Sequence, residues 1–267
     1  MIQSFYGKSP LYSYWNGCSQ GGRQGLMLAQ RYPTAYDGIS AGAPALQWPN
    51  LAASIFWPQQ YMNMLGEYPH GCELDAMTAA AVTKCDGLDG VIDGVVSNVE
   101  VCFETFDPFE LVGTTIANCS ETGAPLEIST AAAKVVNATW TGMVSAKGKK
   151  IWHGINIGSD LTGHHPLSYG LKGTPTTQCH NGSCTGMPSD LSAVWLQLLI
   201  AKDRNFDFTT LSHKEFDQMV HIGQQQYSSM LATNDPDLSD FRDAGGKMIT
   251  FHGLVSCKHQ ELVVNEN

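Results

Sequence analysis

Residues Gly17-Cys18-Ser19-Gln20-Gly21 fit G-x-S-x-G, and the flanks decide what that pentad can be. Before it, Leu11-Tyr12-Ser13-Tyr14-Trp15 is rich in aromatics and predicts a strand. After it, Gly22 to Arg31 predicts a helix, with Leu26, Met27 and Ala29 at apolar positions. A strand that turns directly into a helix must bend sharply, and glycine tolerates such a bend because it has no Cβ. The bend lifts a serine oxygen clear of the sheet, so Ser19 is the candidate nucleophile. The N–H of Gln20 then points at a developing oxyanion, beside the positive end of the helix. Strand, elbow and helix together predict an α/β fold.

Composition removes several classes of partner. The chain has 267 residues, enough for one or two domains with a real core. Its formal charge of -10 argues against nucleic acid or an anionic membrane surface as a partner. No apolar run approaches the roughly 20 residues of a membrane span. Eight cysteines without zinc-like spacing predict disulfides in an oxidising compartment. Asn118-Cys119-Ser120, Asn137-Ala138-Thr139 and Asn181-Gly182-Ser183 are glycosylation sequons, which also point to a secreted protein. Met1 to Gly7 lacks the basic start and apolar centre of a signal peptide.

A second motif lies at Asp86-Gly87-Leu88-Asp89-Gly90-Val91-Ile92-Asp93-Gly94-Val95. Aspartates at i, i+3 and i+7 with glycines between them supply carboxylates and accessible carbonyls on a tightly folding chain, which suits calcium. The spacing is not that of an EF-hand, and the closing glutamate is absent. Cys85 and Cys102 flank the motif and would close it as a disulfide. Cys179 and Cys184 bracket the turn-rich His180-Asn181-Gly182-Ser183, which suits a small local loop; a metal site of Cys179, His180 and Cys184 is the other reading. Cys72 and Cys119 could pair by elimination, although spacing alone does not decide connectivity.

Gly17-Cys18-Ser19-Gln20-Gly21-Gly22-Arg23-Gln24-Gly25 resembles the elbow of the tannase and fungal feruloyl esterase family. Ala41-Gly42-Ala43-Pro44, Trp57-Pro58-Gln59-Gln60, Cys72-Glu73-Leu74-Asp75, Ala138-Thr139-Trp140-Thr141-Gly142 and Gly245 to Gly253 resemble it too, closest to the feruloyl esterase B branch. The resemblance runs to about Leu254. It implies a partial α/β-hydrolase fold with a large inserted lid, and hydrolysis of phenolic acid esters in plant cell-wall polysaccharide degradation. It also implies a Ser-Asp-His triad, with the cysteine before the serine bonded to one after the histidine. For the acidic loop it implies a structural Ca2+, held by the Asp86, Asp89 and Asp93 carboxylates and the Val91 and Val95 carbonyls.

The expected organisation is a hydrolase core over 1–50, a lid over 51–236, and resumed core with a divergent tail over 237–267. Helices are expected at Ala76 to Lys84, Ser129 to Ala138, Ser192 to Ala201, His213 to Leu231 and Leu238 to Ala244, and strands at Gly38 to Ala43 and Lys247 to Phe251. Trp57, Tyr61, Trp195 and Phe206 are candidate aromatic walls for a phenolic substrate. The elbow comes early for this fold, and the resemblance implies further chain before it. Ser256 stands where the family carries its aspartate, and Lys258 to Asn267 is unlike the family, as a shifted reading frame or retained intron would make it. His252 and His259 are expected to be structural, and Cys257 is a candidate partner for Cys18. The histidine that the resemblance implies has no counterpart either, and these departures predict a chain nearly inactive by itself. They keep open a non-catalytic product, a faulty gene model, or an unrelated α/β-hydrolase.

Overall fold

The computed structural model describes residues 2–164 and 172–253. The first elements are α1 (Ile2–Tyr6), β1 (Tyr14–Cys18), α2 (Gln20–Arg31) and β2 (Gly38–Gly42). Next come α3 (Trp48–Leu65), α4 (Gly71–Cys85), α5 (Val99–Thr105), β3 (Thr115–Ile116), β4 (Leu126–Glu127) and α6 (Thr130–Thr141). The hairpin β5 (Thr177–His180) and β6 (Ser183–Gly186) precedes α7 (Asp190–Val194) and α8 (His213–Leu231). The chain then forms α9 (Ser239–Asp243) and β7 (Lys247–Phe251). Among the described residues no helix is long and apolar enough to cross a membrane.

Two compact units result, one from Met1–Pro49 with Gln226–Gly253, the other built on Asn50–Gln225. The later division falls inside α8, ahead of the 236/237 boundary expected from sequence.

In the first unit, β1, β2 and β7 form a parallel sheet in that order. Ala29 of α2, Ile39 and Ala41 of β2, and Phe241 of α9 are its buried core, with Trp15, Leu26 and Met248 packed against them. Distant chain segments meet here through named bonds. The Gln30 amide donates to the Asp235 carbonyl at 2.8 Å, and the Gln47 N–H to the Ala232 carbonyl at 2.7 Å. Strand β1 lies three residues later than the expected 11–15. Leu11 and Tyr12 are exposed, and pairing with β2 begins only at Tyr14↔Gly38. Aromatic content therefore marked the approach to the strand, while the ladder partner decided where it starts.

The second unit is mainly helical. Its core joins Met62, Leu74, Met77, Val135, Val136, Trp140, Ile155 and Leu161. Helix α3 was not legible in the sequence, because Pro58 lies inside it. Proline ordinarily ends a helix by removing an N–H and crowding the preceding turn. Residues 51–60 are nevertheless all buried, and packing on every side holds the helix through the break. Helix α7 is shorter than expected and continues as a π-helix over Trp195–Ala201, ending at Lys202 with φ 56°. Three disulfides tie this unit: Cys72–Cys119, Cys85–Cys102 and Cys179–Cys184. Glu73, only 2% exposed, links two helix starts: its carboxylate accepts the His70 N–H at 2.8 Å and the Ser129 N–H at 2.7 Å.

Candidate active site

Ser19 stands between the carboxyl end of β1 and the first residue of α2. Its backbone has φ 59° and ψ -115°, a conformation that an L side chain adopts only when its surroundings impose it. Those surroundings are visible. The Ser19 N–H donates to the Gly42 carbonyl at 3.0 Å, while the Ser19 carbonyl accepts the Arg23 N–H at 3.0 Å and the Ala45 N–H at 3.1 Å. Close approach accounts for two of the nearby glycines. A Cβ on Gly17 would lie 2.6 Å from the carbonyl carbon and oxygen of Gly21, and one on Gly22 would run into the Gly42 carbonyl oxygen. A Cβ on Gly21, by contrast, meets nothing within 4 Å.

Gln20 opens a helix of 12 residues. Its N–H belongs to the first turn, where no intrahelical carbonyl is available and the helix dipole presents its positive end. The geometry can therefore offer a hydroxyl and a backbone donor side by side to a carbonyl group. Arg23 lies one turn further on, and partial burial lowers its guanidinium pKa.

Register adds the neighbours. Cys18, Gly42 and Phe251 align across the sheet, so the carboxyl ends of all three strands share one edge. In parallel α/β sheets ligands bind outside that edge. The Phe251 carbonyl accepts the Ala43 N–H at 2.7 Å, bringing the segment after β7 to the side of the elbow. His252 follows directly, its Nδ1 3.0 Å from the Gly253 carbonyl oxygen. Ser256, Cys257 and His259 lie outside the described residues, and Cys18 is exposed and outside any disulfide among the described residues.

Burial corrects two of the four expected aromatic walls. Trp57 and Trp195 are 2% and 4% exposed. Trp57 spends its indole N–H on the Ala138 carbonyl at 3.1 Å and packs near Tyr61 and Phe216. These large rings serve the core of the helical unit, which accounts for their abundance there. Tyr61 and Phe206 are half-buried.

The acidic loop folds through its own carboxylates. Asp86 Oδ1 accepts the Asp93 and Gly94 N–H groups at 3.1 and 2.9 Å. Asp89 Oδ1 accepts the Val91 N–H at 2.9 Å, and Asp93 Oδ1 the Val95 N–H at 3.0 Å. Gly90 and Gly94 take left-handed φ values of 92° and 82°. The donors are all oxygens, three of them anionic, which fits a hard divalent cation in chemistry. The aspartates are not among the groups of described residues whose ligand atoms gather within 4.8 Å of one another. One such group, His70 with Cys179 and Cys184, offers no thiolate because both cysteines are in a disulfide. That removes the reading of Cys179 and Cys184 as metal ligands.

A family model described as tannase and feruloyl esterase matches residues 1–258. The chain belongs to the tannase and feruloyl esterase family. A probable feruloyl esterase of Arthroderma benhamiae is 34% identical over 254 residues, covering 95% of this chain and 44% of the relative. A mono(2-hydroxyethyl) terephthalate hydrolase of Piscinibacter sakaiensis is 30% identical, with 95% and 47% covered. Among solved structures, the tannin acyl hydrolase from Aspergillus niger superposes with a TM-score of 0.82 at 26% identity, over 96% of this chain and 46% of that one. The fold is accordingly α/β-hydrolase-like, mixed helix and sheet. The chain spans about half the length of the curated relatives it matches.

For a tannase-family chain, some elbow residues carry no motif signal. Trp15 donates its indole N–H to the Gly21 carbonyl at 2.9 Å, bracing the strand against the first turn of α2. Asp37 accepts the Ser13 N–H on Oδ2 at 2.7 Å and fixes the entry to β1. Neither role follows from spacing, because each depends on which backbone group arrives opposite.

Proposed function

We propose that the chain carries the nucleophile of a serine carboxylic ester hydrolase of the feruloyl esterase and tannase type. The supporting observation is the strained Ser19 backbone between β1 and α2, pinned by Gly42, Arg23 and Ala45. In this reading Ser19 Oγ attacks the carbonyl carbon of an aromatic acid ester, and the Gln20 N–H stabilises the tetrahedral oxyanion. Collapse breaks the ester C–O bond, the proton given up by the Ser19 hydroxyl passes to the leaving alcohol, and water then hydrolyses acyl-Ser19 to release the acid and restore the hydroxyl. The substrate class is esters of phenolic acids such as ferulic acid, free or linked to polysaccharide, by analogy with the named activities of the relatives. The helical unit acts as an inserted lid on a partial α/β-hydrolase core, and the protein works outside the cell.

Asp86, Asp89 and Asp93 with the Val91 and Val95 carbonyls would hold a structural Ca2+. Its contribution is neutralisation of the acidic loop; this chain's residues supply the fold around it.

Ser256, in the place of the family's aspartate, favours a second reading, in which Ser19 is acylated without efficient turnover. A triad that lacks a member retains only a small part of its rate. One experiment separates the two. Methyl ferulate hydrolysis and fluorophosphonate labelling are measured for the chain and for Ser19→Ala. Turnover lost in Ser19→Ala supports the hydrolase; labelling at Ser19 without turnover supports the second reading; absence of both sinks the assignment of Ser19.

A further inference from the structure

The fold treats the three sequons differently. Asn118 and Ser120 are both exposed, on either side of Cys119, which is 0% exposed in its bridge to Cys72. Asn181 opens the two-residue turn between β5 and β6, with His180↔Ser183 as the last ladder pair. Asn181 and Gly182 have φ 52° and 77°, the left-handed pair of a type I′ turn. Asn181, Gly182 and Ser183 are all exposed, and the Cys179–Cys184 bridge closes the hairpin directly behind them.

Asn137 has a different setting. It lies inside α6, half-buried, between Val136 at 0% and Ala138 at 6% exposure. The hydroxyl of its sequon is that of Thr139, which is 2% exposed and donates to the Val135 carbonyl at 2.7 Å. The Asn137 carbonyl accepts the Thr141 hydroxyl at 2.7 Å.

We propose that Asn118 and Asn181 are N-glycan acceptors and that Asn137 is not one in the folded, exported protein. The donor is an oligosaccharide on a lipid diphosphate. The bond from sugar C1 to asparagine Nδ2 forms, the C1–O bond to the diphosphate breaks, and the lipid diphosphate leaves. The amide nitrogen gives up one proton to the transferase. Transfer precedes folding, so the fold acts on the product: a bulky glycan needs a surface setting around its sequon in the folded chain. Two of the three triplets meet that condition. At Asn137 a glycan would stand against residues that must bury in the helical core, so chains carrying it do not reach the folded state.

The inference rests on the secretory reading above, and the test is arranged to keep the two apart. A yeast export leader fused to the full chain sends it along the secretory route whatever its natural address. Peptide N-glycosidase in heavy-oxygen water then marks each former glycan site as a labelled aspartate for mass spectrometry. Label is expected at positions 118 and 181 and not at 137. Asn118→Gln and Asn181→Gln should each remove one step of the electrophoretic shift, and Asn137→Gln none. If little protein is exported, the disulfide-bonded intracellular pool is mapped in the same way. Label at position 137 comparable to the others, or its absence at 118 or 181, overturns the proposal.

Discussion

Replacing Gly17 with alanine should damage the elbow, whereas the same change at Gly21 should not. Both glycines belong to the same pentad, so the motif alone predicts equal sensitivity. A Cβ on Gly17 would lie 2.6 Å from the Gly21 carbonyl carbon and oxygen and 2.8 Å from its Cα. Real Cβ contacts are essentially never under 3.0 Å, so the first turn of α2 must retreat by at least 0.4 Å, from 2.6 to 3.0 Å. The retreating carbonyl is the one that accepts the Trp15 indole N–H. Overpacking of this kind costs about 1–3 kcal/mol, and a lost hydrogen bond about 1 kcal/mol more. Gly17→Ala should therefore lose about 2–4 kcal/mol of stability. At Gly21 the methyl enters open space, and alanine favours the helix by up to about 1 kcal/mol. Urea unfolding of the two variants against the parent measures both values. Fluorophosphonate labelling of Ser19 gives a second reading, expected to slow about tenfold in Gly17→Ala, since misplacement by 1 Å can cost about a hundredfold. If Gly17→Ala unfolds within 0.5 kcal/mol of the parent, roughly the spread of neutral surface changes, the reasoning from close approach is wrong. It is equally wrong if Gly21→Ala loses as much as Gly17→Ala.

Other perturbations test the helical unit. Glu73→Gln keeps the shape but turns one carboxylate oxygen into a donor facing the N–H of His70 or Ser129, and should cost about 1–3 kcal/mol; an unchanged urea midpoint would show that Glu73 does not hold the two helix starts together. Removing Cys85–Cys102 with a double alanine variant frees a 17-residue separation and should lower stability by about 3 kcal/mol, read by calorimetry under non-reducing conditions. A chelator should lower the melting temperature of the parent and leave Asp86→Asn/Asp93→Asn unaffected; equal melting of the parent with and without chelator, and no calcium by elemental analysis, would remove the ion from the loop.

Local chemistry was legible wherever a few adjacent residues suffice. Pentad and flanks point to a strand, a bend and a helix because glycine's lack of a Cβ and the apolar spacing of Leu26 and Ala29 act within one stretch of chain. Helix α8 and strand β7 have the bounds that their sequence pattern predicts. Helix α3 was hidden because a local rule against Pro58 is outweighed by burial that only the assembled unit provides.

The sequence by itself determined that a serine is offered on a tight turn, that an oxygen-rich acidic loop exists, and which family shares these motifs. Tertiary structure alone decided the start of β1, the burial of Trp57 and Trp195, and which glycine of the pentad is sterically required. It also decided which sequons face water. The physical reason is common to all four. Each depends on which atoms folding brings close, from a distant segment for β1 and Trp57 or from the next turn of chain for Gly17 against Gly21, and the order of residues does not record those distances.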